Sequence, residues 1–597
     1  MLFFPSMEIR RFCMVFLFQN RPVHPAVASL VRAQLPNVYD LVALALILLL
    51  GIALLHGAEG ASAPLSALPV EAVSLDPTHL PEYGLRTTLR MFAAMTASLL
   101  FTFVVATLAA KSQRAERLIV PALDVLQSVP VLGFLTFTVT FFLGLFPGSQ
   151  LGAECASVFA LFTSQAWNMA FSFYQSLRTV PRDLQEVSRG FGFSAWLRFW
   201  RLEVPFAMPG LIWNMMMSMS GGWFFVVASE AITVGDTTVT LPGIGSYLAL
   251  AIAHQQFGAV AWAVAAMALL ILLYDQLLFR PIVVWADKFR VELTAGRQLP
   301  RSWVYDLICR TRLLKRLVAP LTRLWQRVLI LRWTKRNRVT VLPVSPRAGS
   351  VRGDRLWRVV LFAVAAACIY FVFNSLWQTL DVEDLTAALG GALATLLRVV
   401  VLIALASLIW VPIGVWIGLR PVLAQRVQPL VQFLAAFPAN VLFPFAVVAI
   451  VSTGANPNIW LSPLMVLGTQ WYILFNVIAG ASAFPTDLKE AAQVYRLRSW
   501  TWWRRVMLPG IFPYYLTGAL TASGGSWNAS IVAELVSWGH QHLQAYGLGS
   551  YIASATEAGD YPRVLLGVVV MSLFVTVFNR TLWRRLFVFA ERRLRLD

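Results

Sequence analysis

Apolar residues fall along this chain in blocks of roughly twenty, the length at which an α-helix crosses the hydrocarbon core of a bilayer. The pattern predicts twelve such helices, six in each part of the chain. They lie at about 38–56, 87–110, 119–146, 153–178, 204–229 and 258–280, then at 357–378, 388–418, 428–452, 459–483, 507–533 and 562–583. Some blocks, Leu41–Leu55 and Val564–Phe578 among them, hold no charged residue. Charge gathers between the blocks, most densely between the sixth and the seventh. The expected fold is an all-α polytopic membrane protein.

The polar segments repeat. Pro181-Arg-Asp183-Leu184-Gln-Glu186, followed by Trp196 and Pro205, returns as Pro485-Thr-Asp487-Leu488-Lys-Glu490, followed by Trp500 and Pro509, always 304 residues on. Pro209 and Pro513 keep the same offset. A repeat of this length means two homologous halves in one chain. Lipid-facing helices drift among apolar residues, so a polar loop that survives duplication is expected to touch a partner.

Charge orients the halves. The net charge is +19, and residues 280–356 hold 18 Lys+Arg against 4 Asp+Glu. Basic residues flanking spans mark the cytoplasmic side. That side then also takes Arg10, Arg11, Arg21 and Arg32, Lys111, Arg114 and Arg117, and both repeated loops. The opposite loops carry Glu59, Glu71, Asp76 and Glu82, and Asp381, Glu383 and Asp384. Both termini are therefore expected in the cytoplasm, with the halves parallel. The N-terminal segment, 1–37, reads as cytoplasmic rather than as a cleaved signal peptide. The basic stretch reads either as amphipathic helix lying near anionic lipid headgroups or as a solvated tether. Nucleic acid is not an expected partner, because the positive charge is confined to that stretch and the flanks of the spans. The four cysteines, Cys13, Cys155, Cys309 and Cys368, lack metal-ligand spacing, so neither a metal site nor a disulfide framework is predicted.

Each repeated loop has the periodicity of a short surface helix, with Leu184, Val187 and Phe191 on one face and Leu488, Ala491 and Tyr495 on the other copy. Asp183 and Asp487 follow a proline turn and are expected to cap these helices. Glu186 and Glu490 fall in the first turn, where the helix dipole favours a carboxylate. An apolar face with a charged rim fits a socket on another protein. An ordinary amphipathic connector would read the same in a single copy; two copies in register favour the plug.

With those residues in view, the chain resembles the permeases of ATP-binding-cassette importers, whose Glu-Ala-Ala loop is followed by a glycine and then Leu-Pro. The second copy keeps Glu490-Ala491-Ala492 and Leu508-Pro509 but has Arg496 in the glycine's place. The first keeps Gly192 but has Glu186-Val187-Ser188 and Val204-Pro205. Further on come Gly221-Gly-Trp223 through Glu230 and Gly525-Ser-Trp527 through Glu534, then Gly243-Ile-Gly245 and Gly547-Leu-Gly549. These resemble the nitrate/sulfonate/taurine/bicarbonate branch, over roughly residues 85–285 and 390–590. The resemblance implies two tandem six-helix type I importer permease domains, in a bacterial inner (plasma) membrane. They would occupy residues 38–280 (core about 85–280) and 357–590 (core about 390–590), with a cytoplasmic linker at 281–356. Two cytoplasmic ATPase subunits and an extracytoplasmic solute-binding protein are the implied partners, and a small oxyanion is the implied cargo. Asp183, Glu186, Gly192 and Pro205, with Asp487, Glu490, Ala491, Ala492 and Pro509, would couple the chain to the ATPases. Arg496 leaves the shape of the second plug in question.

The chain has no Gly-x-x-x-x-Gly-Lys-Ser/Thr loop to cradle phosphate. It is expected to be a transport subunit without enzymatic activity or cofactor, driven by ATP bound elsewhere. Ser220, Trp223, Ser526, Trp527 and Asn528 are candidates for the translocation pathway, since polar groups inside spans often mark a route. Close helix packing explains the small residues equally well. Glu230 and Glu534 would repel an anion as bare carboxylates and read as structural or gating groups. Trp167-Asn168 and Trp471-Tyr472 read as packing. Three other readings compete: a fused permease for ferric iron or thiamine, a six-plus-six secondary transporter, and a membrane enzyme, for which no repeated His, Cys or paired carboxylates are present.

Overall fold

The computed structural model describes residues 73–593, except 148, 235–236, 290–301, 312–318, 321, 329–358, 540 and most of 360–375. The first half opens with α1 (Leu80–Lys111), α2 (Gln113–Ser128), α3 (Val131–Leu145) and α4 (Gln150–Arg178). A surface helix, α5 (Arg182–Gly190), leads to the long α6 (Val204–Glu230). A hairpin, β1 (Ala231–Val234) and β2 (Thr237–Thr240), then precedes α7 (Ile244–Ala253) and α8 (Phe257–Tyr274). In the basic stretch lies α9 (Trp303–Arg310).

The second half repeats the plan with α10 (Val382–Gly418), α11 (Pro421–Ala436), α12 (Phe443–Thr453) and α13 (Gln470–Ser482). Its surface helix is α14 (Thr486–Val494), and α15 (Leu508–Ala533) corresponds to α6. The hairpin β3 (Leu535–Trp538) and β4 (Gln541–Gln544) leads to α16 (Leu548–Glu557) and α17 (Tyr561–Phe578). Both hairpins are antiparallel, pairing Ala231 with Thr240 and Leu535 with Gln544. Helices dominate the described residues as expected, and the two short hairpins are the addition that the sequence did not announce. Segments of four residues are too short for a periodic signal, and each ladder closes its own backbone hydrogen bonds.

By length and composition, five helices among the described residues suffice to cross a membrane, or seven if two bent pairs each count as one span. The bent pairs are Pro421–Ala436 with Ala439–Thr453, at 78°, and Pro457–Leu467 with Gln470–Ser482, at 43°. The block expected at 119–146 is broken in the same way, between α2 and α3. Val129 and Phe437 are extended because each precedes a proline (Pro130 and Pro438), which disfavours helical geometry in the residue before it. The blocks at 153–178 and 507–533 form α4 and α15 but are not among the five. Their polar residues are turned inward: Ser157, Thr163 and Gln165 in α4, and Ser523, Ser526 and Ser530 in α15, are buried. The block at 38–56 lies outside the described residues, and that at 357–378 is described at too few positions to be judged.

Two π-helical turns recur with the repeat. Phe199–Glu203 matches Trp503–Met507, and Asp275–Phe279 matches Asn579–Trp583. Each inserts a residue into the helical register and re-aims the helix that continues from it.

The chain divides into two compact units. One takes residues 173–213 and the described parts of 273–347; the other takes 73–172, 214–272 and the described residues beyond 348. In the smaller unit aromatic rings pack in sequence: Phe173 on Phe199, Phe199 on Trp200, and Trp200 on Trp325 of the basic stretch, whose ring centroid is 5.1 Å away. Lys288 donates to the Tyr305 hydroxyl, whose pKa burial pushes up. In the larger unit the halves interlock. The Phe257 and Trp538 rings stack at 4.5 Å, the Gly539 N–H donates to the Ile252 carbonyl at 3.1 Å, and Phe137 meets Tyr561 at 5.9 Å.

Candidate functional site

The two surface helices are built alike. Pro181 and Pro485, both with φ near −56°, occupy the N-cap positions, and no side chain caps either helix. The expected capping by Asp183 and Asp487 is therefore corrected: the fixed φ of proline sets the chain's entry, and the aspartates sit two residues further in, within the first turn. There they still face the positive end of the helix dipole. The Gln185 side-chain amide donates to the Val180 carbonyl at 3.1 Å and ties down the start of α5.

One face of each helix points away from the protein. Leu184, Val187 and Phe191 are 37, 53 and 66% exposed, and Leu488 and Tyr495 are 38 and 77% exposed. Glu186, Glu490 and Ala491 are exposed beside them. Ser188 and Ala492, at equivalent positions, are buried and face inward. Gly192 closes α5 with φ +66°, its N–H donating to the Arg189 carbonyl and the Phe193 N–H to that of Ser188. Arg496 closes α14 with φ +49°, its N–H donating to Gln493 and the Leu497 N–H to Ala492. The arginine thus makes the glycine's turn. Pro205 and Pro509 stand just after the π-helical turns Phe199–Glu203 and Trp503–Met507 inside a continuous helical run, where each lacks the N–H that would bond the preceding turn.

At the far end of those long helices, Glu230 and Glu534 organise two matching clusters. Glu230 is fully buried and accepts from Arg90 NH1 at 2.7 Å, Thr87 Oγ1 at 2.7 Å and the Gly245 N–H at 2.7 Å. Thr87 Oγ1 in turn accepts from the Ile244 N–H at 3.1 Å. Glu534 accepts from Arg398 NH1 at 2.9 Å, Thr395 Oγ1 at 2.8 Å and the Ser550 N–H at 3.2 Å, while Thr395 accepts from the Leu548 N–H at 2.9 Å. The glutamates' backbone carbonyls bind Leu241 and Ala545 beyond the hairpins. Each cluster staples α1 or α10, the long α6 or α15 and the Gly-x-Gly turn of its half together. The turns need glycine for space: a Cβ on Gly243 or Gly547 would lie 2.3 or 2.2 Å from the glutamate. A buried charge is tolerated only when paired and hydrogen-bonded, and both are.

Sequence reasoning named the glutamates but missed Thr87, Arg90, Thr395 and Arg398. Thr-x-Leu-Arg does recur, but 308 residues apart rather than 304, because the halves differ by four residues between this helix and the position of Glu154 and Asn458.

The pathway candidates lie inside the protein. Trp223 and Trp527 are each 1% exposed. Ser220 donates to the Met216 carbonyl, while Ser526 bonds the Ala522 carbonyl and Thr469 Oγ1. Asn528 bridges the halves, its Oδ1 accepting from the Val131 N–H at the start of α3, at 2.9 Å, and its amide donating to the Gly524 carbonyl. Nearby, the Asn440 amide donates to the Phe224 carbonyl at 3.3 Å. Trp167 packs on Phe101 and Phe162, and Trp471 on Trp410. Among the described residues no group of three His, Cys, Asp or Glu is placed to hold a metal ion.

Comparison with known proteins bears on both halves. Residues 99–279 and 410–594 each match the family described as binding-protein-dependent transport system inner membrane component. The nitrate import permease protein NrtB of Leptolyngbya laminosa is 27% identical over 186 residues, 31% of this chain and 63% of that protein. The bicarbonate transport system permease protein CmpB of Synechococcus elongatus is 29% identical over 188 residues, 32% of this chain and 64% of its own length. A probable ABC transporter permease protein of Brucella melitensis, BMEII0107, is 25% identical over 205 residues, covering 34% and 77%. The chain thus spans slightly under two thirds of the length of the nitrate and bicarbonate relatives that it matches.

Proposed function

Because the chain belongs, through both of its halves, to the family of binding-protein-dependent transport system inner membrane components, we propose that it is the transmembrane permease subunit of an ATP-driven importer for a small oxyanion of the nitrate, sulfonate, taurine or bicarbonate kind. The permease domains run from 38 to 280 and from 357 to 590, parallel in a twelve-span arrangement, with 281–356 as a cytoplasmic linker near anionic lipid. Helices α5 and α14 seat in sockets on two ATPase subunits, and an extracytoplasmic binding protein delivers the cargo at the ends marked by Glu230 and Glu534. The nitrate and bicarbonate functions named for the relatives support the choice of cargo.

One observation carries this reading. Two helices at equivalent positions leave apolar side chains exposed beside a repeated pair of acidic groups, Asp183 with Glu186 and Asp487 with Glu490, and both close with the same left-handed turn. Two plugs of the same build fit two sockets of one kind.

The test is reconstitution. The purified chain alone should neither bind nor hydrolyse ATP. In liposomes with its ATPase and loaded binding protein it should accumulate nitrate or bicarbonate only while ATP is hydrolysed. Uptake driven by an ion gradient without the ATPase would instead establish a secondary transporter.

A further inference from the structure

The two stapling clusters differ at one position. Arg90 is gripped on both sides: NH1 meets Glu230, while Nε and NH2 meet Oε2 and Oε1 of Glu154, both at 2.6 Å. That second contact is a parallel, two-pronged bond between a guanidinium edge and a carboxylate. Arg398 has the first partner, Glu534, at 2.9 Å. Where Glu154 would stand, however, is Asn458, reached by NH2 alone at 3.3 Å. No carboxylate among the described residues meets the Nε–NH2 edge of Arg398. Its side chain is 14% exposed against 3% for Arg90, and Asn458 is exposed.

We propose that the Nε–NH2 edge of Arg398, beside Asn458, is a binding fork for a planar oxyanion, present in the second half only. The inference rests on the anion-import reading and adds to it a place of first contact. Glu154 shows the geometry of the occupied fork, with two oxygens of one planar anion in line with the two N–H bonds of the guanidinium edge. Arg90 with Glu154 and Glu230 carries a formal charge of one negative unit, whereas Arg398 with Glu534 is neutral. A singly charged planar anion on Arg398 therefore completes in the second half the charge set that the protein itself completes in the first. Nitrate and bicarbonate have the required plane and oxygen pair.

Binding is measured by calorimetric titration of the purified full chain with sodium nitrate and sodium bicarbonate. The wild type should bind both. Asn458→Glu, which places a carboxylate in the fork, should weaken binding by about tenfold or more. Asn458→Gln should retain it and shows that the position tolerates change. Equal binding by the wild type and Asn458→Glu, or no binding by the wild type, overturns the fork. Import is read separately, as nitrate and bicarbonate uptake by cells carrying the whole transporter. Uptake with an unchanged KM in Asn458→Glu would refute the fork and leave the import reading standing. Binding as expected with neither anion imported would refute the import reading and leave the fork.

Discussion

Arg496 holds φ +49° at the position where Gly192 holds φ +66°, so an arginine maintains in one half the left-handed turn that a glycine makes in the other. A side chain with a Cβ pays for that conformation with roughly 1 kcal/mol of strain. Arg496→Gly is therefore expected to relieve about 0.5–1 kcal/mol, and Gly192→Arg to cost a similar amount. Thermal unfolding of the purified variants checks the sign. Because both turns exist, Glu186→Ala and Glu490→Ala should reduce ATPase coupling to a similar extent, with membrane insertion unaffected. A large difference between the two in transport assays would mean that the plugs are not equivalent.

The Arg90 cluster lends itself to a stability test. Its guanidinium holds Glu154 and Glu230 together, so Arg90→Ala leaves two carboxylates without their cation. Breaking such a pair from one side costs about 3–5 kcal/mol, and the variant should unfold at a clearly lower temperature or fail to accumulate. Glu230→Gln keeps the shape and an acceptor oxygen and should cost less, about 1–3 kcal/mol. Gly243→Ala should resemble the more damaging change, since its Cβ would displace the glutamate. Wild-type stability in Arg90→Ala would show that the cluster does not staple the half together.

The sequence already contained the duplication, the surface helices and the glutamates that end α6 and α15, because all of these recur at one offset and the repeated polar pattern is rare among apolar residues. The partners of the glutamates were hidden by a shift of four residues. The π-helical turns and the hairpins leave no periodic trace, since each occupies only four or five residues. The role of Asn528 was illegible for a different reason. An amide in an apolar helix announces that it needs partners, but not whether they are cargo or backbone.

Asn528 can be made to distinguish those two. Its oxygen accepts from the Val131 N–H at the start of α3, so Asn528→Ala removes a helix cap contributed by the opposite half. That should cost about 1 kcal/mol, the usual effect of losing a cap. Asn528→Asp loses the donation to the Gly524 carbonyl but keeps the acceptor for Val131 and adds a charge that suits a helix N-terminus, so it should be less destabilised than Asn528→Ala. A cargo ligand behaves differently, because an aspartate would repel an anion and abolish uptake as completely as alanine does. Uptake retained in Asn528→Asp and reduced in Asn528→Ala marks a structural bridge between the halves. Loss in both, with normal unfolding temperatures, marks a cargo contact.

The orientation of the halves follows from the charge pattern and can be tested with two fusions. Arg323 lies in the basic stretch, and Asp381 opens α10 through a capping box with Asp384 at the acidic end of the second half. If basic flanks remain on the cytoplasmic side, a reporter active only outside that compartment should be silent when fused after Arg323 and active when fused after Asp381. A reporter active only in the cytoplasm should give the reverse. The pair also tests coupling, because α5, with Arg182 and Arg189, and the stretch after α14, with Arg496 and Arg498, carry the same sign of charge as the linker. External activity at Arg323 would put both surface helices on the wrong side of the membrane for ATPase subunits, and the importer mechanism would fall with the topology.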